Sequence, residues 1–307
     1  MLDPTHADDS ALRAAASQPL IRRRHPLQWI ATIVIAVIAV QAVVLLAANP
    51  AFQWDVVGAY LFDGKVLDGL WLTVWLTFVV FALSVVLGTL ITVLRMSPIP
   101  ALQALAWTYV WFFRSVPLLV QLVFWFNIGY LFPIIGVGLP FLPPFIEIES
   151  RNLVSSVGVA IIALTLHEAA YAAEVVRGGL LSVPPGQREA AKAIGLGAPR
   201  TFVRIILPQA LRAMLPPMGS MLIGILKATS LVSTIAIADL MSAVSAIYNR
   251  TFEVVPLLVV ATAWYLVLTS ALSALQWYIE RRVGRGFVRR GTRTVRTPKI
   301  RVPEGAL

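Results

Sequence analysis

Lys227 lies inside an otherwise apolar run, about Leu215 to Ile237, beside the small residues Ala228, Thr229 and Ser230. A charge within a membrane span costs about 2.5–3.5 kcal/mol on insertion scales, so such a residue faces a cavity, water or a partner. Lys227, Thr229 and Ser230 are therefore expected on a solute pathway, where a cation attracts a carboxylate. The competing roles for Lys227 are a structural ion pair or an ammonium snorkelling along its own stem. A second polar group, His167, Glu168, Glu174 and Arg177, lies on or just after the apolar run from about Val154 to Val176. Glu174 and Arg177 are three residues apart and share a helix face. They are expected to form a structural ion pair near the end of that span. Glu168 is deeper, and is expected to meet Lys227 or the ammonium group of a solute.

Other chemistries lack residues. There is no cysteine, which removes disulfides, thiolate nucleophiles and cysteine-held metals. His167-Glu168-Ala169-Ala170-Tyr171 has Tyr171 where the zinc motif H-E-x-x-H needs its second histidine. The other two histidines, His6 and His25, are in the N-terminal tail, so no metal site is expected. No Ser/His/Asp set can be assembled, and no G-x-x-x-x-G-K-[ST] phosphate loop occurs. The chain is expected not to be an enzyme and to hold no cofactor of its own.

The elements that must carry these residues follow from composition. Of 307 residues, 58% are hydrophobic and 13% are charged, about half the charged share of a soluble domain. The apolar runs are continuous, which favours helices over the alternating strands of a membrane barrel. Six spans are expected: about Leu27 to Ala48, Gly69 to Leu94, Val116 to Phe132, Val154 to Val176, Leu215 to Ile237 and Val254 to Tyr278. An amphipathic lead-in, Pro100 to Phe113, precedes the third. Six crossings put both termini on one side. That side would carry Arg13 and Arg22 to Arg24, then Arg95 and Arg114, then Arg177, Arg188, Lys192, Arg200, Arg204 and Arg212, and finally the basic tail from Arg281. The other side holds only Lys65, Arg151 and Arg250. The bias predicts cytoplasmic N- and C-termini. The net charge of +10 then reflects topology and anionic membrane lipid, and no nucleic acid is expected as a partner. Trp54, Trp71, Trp107, Trp111 and Trp277 fall near span ends, as interfacial anchors do. The polar or basic tails, about 1–20 and 286–307, are expected to lack fixed structure.

The loop between the fourth and fifth spans is more than a connector. Pro184-Pro185-Gly186 makes a turn, Gln187 to Ile194 forms helix, and Gly195 to Pro199 breaks it. Thr201 to Leu207 is expected as a second short helix ending near Pro208. Gly195 permits a tight corner, and the small Ala190 and Ala191 would let another protein approach closely.

This loop resembles the coupling loop of binding-protein-dependent ABC importer permeases: Glu-Ala-Ala, three residues, Gly, nine residues, then Ile-x-Leu-Pro. Glu189-Ala190-Ala191, Gly195, Ile205, Leu207 and Pro208 match each fixed position and both spacings. Three further segments are similar to polar amino acid permeases of the histidine/glutamine type. They are Arg114 to Gln121 (RSVPLLVQ), Ala170 to Gly178 (AYAAEVVRG) and Lys227 to Val232 (KATSLV). This chain has Ser115-Val116 where those sequences carry Gly-Thr, and Ala228 where they carry Asp. The resemblance covers about residues 66–280. It implies an all-α membrane protein with a five-helix permease core, residues 66–280, whose coupling loop is 182–208. To this are added a cytoplasmic tail (1–26), an extra first helix (27–48) and a basic cytoplasmic tail (281–307).

The resemblance further implies a multi-pass permease subunit in the bacterial cytoplasmic (inner) membrane. It would form the pathway for amino acids delivered by an extracytoplasmic solute-binding protein. Its partners would be an ABC ATPase dimer, which binds the ATP, and a second permease copy or a sister permease. Gly186, Glu189, Ala190, Ala191, Gly195, Ile205, Leu207 and Pro208 would couple to the ATPase. The alternatives are an ABC permease for another small solute and a secondary transporter, which has no need of the coupling loop.

Overall fold

A computed structural model of the chain describes residues 26–137, 146–149 and 155–283. The expected tails, His6, His25 and Arg151 lie outside the described residues. The chain divides into two units, residues 1–52 and 53–307. In the first, α1 (Pro26–Ala48) is a single apolar helix followed by a 3-10 turn, Pro50–Phe52. No side chain from Trp29 to Ala48 is buried.

The second unit is a helical bundle. It runs through α2 (Trp54–Tyr60), α3 (Gly64–Arg95), α4 (Pro100–Ser115), α5 (Leu118–Phe126) and α6 (Ile128–Leu131). It continues through α7 (Ser156–Leu181), α8 (Pro185–Ala193), α9 (Ala198–Thr201), α10 (Leu207–Ala228), α11 (Leu240–Thr251) and α12 (Val254–Val283). A hairpin of β1 (Ile134–Val137) and β2 (Ile146–Glu149), antiparallel with Ile134 opposite Glu149, is the one extended element among the described residues. Five helical stretches are long and apolar enough to cross a membrane, and six if α4 and α5 count as one.

Side-chain caps start three of these helices. Asp63 accepts from the Lys65 N–H at 2.9 Å, and Ser155 accepts from the Gly158 N–H at 3.2 Å. The fully buried Asp239 accepts from the N–H groups of Met241 and Ser242. Each satisfies a donor that the first helical turn leaves free. The bundle's main seam is α3 against α7, and its contact residues are small. A Cβ on Gly88 would lie 2.6 Å from Ala172 Cβ and 2.8 Å from the Ala169 carbonyl. The Thr92 hydroxyl donates to the Ala173 carbonyl across the seam at 2.9 Å. Close backbone approach through small residues is how helices associate where lipid removes the hydrophobic drive. Leu76, Val80, Leu122, Leu164, Ile225 and Val232 fill the core beside that seam. A second cluster, with Val66, Leu240, Val244, Leu257 and Val260, packs α11 between α3 and α12.

Two sequence expectations are corrected. The third span is not one helix from Val116 to Phe132: α5 ends at Phe126, and α6 covers only Ile128–Leu131. The amphipathic lead-in is the separate helix α4, which meets α5 at 101°, and Pro117 causes that bend, because it cannot donate to the carbonyl of Phe113 four residues earlier. The second short helix of the loop does not end near Pro208. It runs on from Ala198 through a π-helical turn, Phe202–Ile206, into α10 and a 3-10 segment, Thr229–Ile235. The fifth span thus begins well before Leu215. The π turn widens the ladder just before Pro208, so the missing proline N–H falls at a register change. Pro216 and Pro217 also sit inside α10, and the Pro216 carbonyl accepts from Gln276 Nε2 of α12 at 3.1 Å.

Candidate functional site

Along α7, the Val154–Val176 run places His167, Glu168, Tyr171, Glu174, Gly178 and Gly179 on a face opposite α10. Together with Arg114 they form one wall of an open-sided cleft of about 840 Å³. Ala213, Pro217, Ser220, Met221 and Gly224 of α10 form the other wall. Glu168 therefore lines the cleft, partly buried. Its expected contact with Lys227 is not made: among the described residues Lys227 forms no ion pair. The physical reason is register. Ser220, Gly224 and Lys227 follow the i, i+4, i+7 stripe of one helix face, so Lys227 lies one turn past the last α10 residue lining the cleft. It is exposed on the chain.

Thr229 does not line an open path. It is fully buried, and its hydroxyl donates to the Leu226 carbonyl at 2.7 Å. Ser230 is half-buried, and its hydroxyl donates to the Lys227 carbonyl.

On the α7 wall of the cleft Glu174 is an anion among three guanidiniums. Arg177 donates to Oε2 through Nε at 2.9 Å and Nη2 at 2.8 Å. Arg95, the last residue of α3, donates to Oε1, and Arg114 Nη1 lies 3.7 Å from the same oxygen. The Arg114 guanidinium also stacks over Tyr171, 5.2 Å from the ring centre. Sequence reasoning named Arg177 alone. Arg95 and Arg114 each end a helix on the basic side of the charge map, and that coincidence was the signal available.

Gln121 was also missed. It is buried, and its Nε2 donates to the carbonyls of Phe113 at 2.9 Å and Val116 at 2.8 Å. The Phe113 carbonyl is the one that Pro117 leaves without a partner, so Gln121 satisfies the backbone at the α4–α5 bend. The same nitrogen lies 3.0 Å from His167 Nδ1, which fixes the imidazole against the bend. Among the described residues no group of three metal-ligating side chains comes together.

At the same end of the bundle the loop folds as a corner. The N–H of Leu196 bonds the Ala191 carbonyl and that of Gly195 bonds the Lys192 carbonyl, both at 2.9 Å. This pair of bonds ends α8 in a Schellman turn, with Gly195 at φ +73°. A Cβ on Gly195 or on Gly186 would meet nothing within 4 Å in this chain. Gly186, Glu189, Ala190 and Pro208 are exposed, Ile205 and Leu207 half-buried, and Ile194 is 77% exposed. Ala191 is corrected: it is 1% exposed and packs inward, so it offers no surface to another protein. The helix turns one alanine of the pair outward and the other toward its own core.

Comparison with known proteins places these features. Residues 84–285 match the family described as binding-protein-dependent transport system inner membrane component. The chain is 42% identical over 268 residues to the arginine transport system permease protein ArgU of Corynebacterium glutamicum, covering 87% of this chain and 83% of that one. It is 35% identical over 241 residues to the L-cystine transport system permease protein TcyB of Bacillus subtilis, covering 78% and 95%. Among solved structures, an amino acid ABC transporter crystallised with histidines matches with a TM-score of 0.61 at 31% identity, over 71% of this chain and 94% of that one.

Proposed function

Because this chain belongs to the family of binding-protein-dependent transport system inner membrane components, we propose that it forms the transmembrane pathway of an ABC importer for amino acids. The observation that carries this reading is the cleft between α7 and α10. It holds Glu168 and is followed one turn later by Lys227 on the same α10 stripe. An acid on the α7 wall and a base one turn beyond the α10 wall suit a zwitterion, with Glu168 toward the ammonium group and Lys227 toward the carboxylate. The relatives' named solutes, arginine and cystine, are of that class.

The exposed face of α8 and its glycine corner, residues 182–208, receive a separate ATPase dimer that binds the ATP. The termini and this loop lie in the cytoplasm, a reading that the cation distribution supports. A second permease, a copy or a sister chain, completes the pathway, and an extracytoplasmic binding protein delivers the solute. ATP-driven closure of the ATPases moves the loop and switches a bistable bundle between inward- and outward-facing states.

The test is uptake of labelled amino acids by proteoliposomes holding the assembled importer. Lys227→Met keeps the stem and removes the charge. It is expected to lower uptake about tenfold, the worth of one charged contact, with binding-protein affinity and complex assembly intact. Uptake at the parental rate would refute the role of Lys227. Uptake of no amino acid by the parental complex would refute the substrate class.

A further inference from the structure

We propose that a pocket on the other side of the Glu174 cluster binds the phosphate headgroup of an anionic phospholipid. The proposal rests on the chain spanning a membrane and not on which solute crosses it. The pocket, about 340 Å³, lies between the end of α3, the face of α4 and the second half of α7. Its polar wall is Arg95, Arg114, Ser115, Tyr171 and the Glu174 carboxylate itself, and its apolar wall is Trp107, Val110 and Trp111.

Three features point to this ligand. First, charge does not balance: one carboxylate, Glu174, faces the guanidiniums of Arg95, Arg114 and Arg177. Two positive charges remain, beside apolar surface where screening is weak. A phosphodiester supplies a counter-charge and accepts in the fork geometry that arginine offers. Second, donors are free to meet it. Arg114 reaches Glu174 only at 3.7 Å. The Ser115 hydroxyl has no hydrogen-bond partner among the described residues. Third, the apolar wall is flat and uncovered. The Trp107 and Trp111 rings stack at 6.1 Å, 4° from parallel, and each residue is 56% exposed. Paired indoles beside arginines at a span end match the glycerol and upper acyl region of a lipid. Inorganic phosphate would leave that wall bare.

The experiment is native mass spectrometry of the purified full-length chain, delipidated and then titrated with dioleoyl phosphatidylglycerol, dioleoyl phosphatidylcholine or inorganic phosphate. The expected result is about tenfold preferential retention of the anionic lipid over the zwitterionic one. Arg114→Gln is expected to abolish that preference. Ser115→Gly, a milder change that keeps the measurement readable if Arg114→Gln fails to fold, is expected to weaken it about threefold. Equal retention of the two lipids overturns the proposal, as does unchanged preference in both variants. Displacement of bound phosphatidylglycerol by millimolar inorganic phosphate overturns the lipid assignment. The chain has no cysteine, so Trp111→Cys gives a clean crosslinking probe. Efficient crosslinking of two copies through that residue in membranes would put a second permease in the pocket instead.

Discussion

At the residue scale, Glu174 organises more charge than any other side chain described. Removing a partner from a partly buried ion pair leaves the remaining charges without compensation, which costs more than the pair itself contributes. Glu174 is 22% exposed and its arginines between 22% and 45%, so solvent relieves part of that cost. Glu174→Gln is expected to destabilise the chain by about 2 kcal/mol after this discount. The check is the denaturation midpoint in detergent, and an unchanged midpoint would mean that the cluster is an incidental surface contact. Arg177→Lys should cost less than Glu174→Gln, since it keeps a charge and loses the two-nitrogen geometry. Arg177 was legible in sequence because it is three residues away on the same helix. Arg95 and Arg114 were not, because nothing in local spacing says which helix ends meet.

At the element scale, the α3–α7 seam depends on an absent side chain. A Cβ at Gly88 meets backbone atoms of Ala169 and Ala173 at 2.8 Å, and backbone cannot swing aside as a flexible side chain does. Gly88→Val is expected to force the helices apart and cost upward of about 3 kcal/mol, at the high end for overpacking. Gly58→Ala is the control, since nothing lies within 4 Å of its added methyl. Comparable thermal stability of Gly88→Val and the parent in detergent would show that this seam is loose. The membrane spans were legible because continuous apolar runs leave little choice of element. The breaks were less so. Pro117 ends a helix while Pro208, Pro216 and Pro217 ride within one. Gln121 satisfies the carbonyls at the Pro117 bend, and a π turn precedes Pro208. Gln121 is only four residues from Pro117 and within reach of a local reading, whereas the π turn left no signal in the sequence. The glycine corner of the loop was readable, since its φ of +73° is a conformation that glycine adopts freely.

At the scale of the whole molecule, the cleft and the loop corner lie on the same two helices. α7 carries Glu168 and Glu174 and leads through residues 182–184 directly into α8. The chain returns from the corner through the π turn into α10, which carries Ser220, Gly224 and Lys227. α8 is thus joined by short non-helical turns to the helices that form both walls of the cleft, and under the proposed coupling role a displacement of α8 would reach both. The most direct test is solute-stimulated ATP hydrolysis by the reconstituted importer carrying Gly195→Ala or Gly195→Asp. Ala pays about 1 kcal/mol of left-handed strain and Asp no more than that, and the Cβ that both add meets nothing within 4 Å. Only Asp adds a charge to the surface assigned to the ATPase. The account predicts that Gly195→Ala retains most of the stimulated hydrolysis while Gly195→Asp loses it, with both variants inserting and folding. Full stimulation of hydrolysis by solute in the Gly195→Asp complex would contradict it.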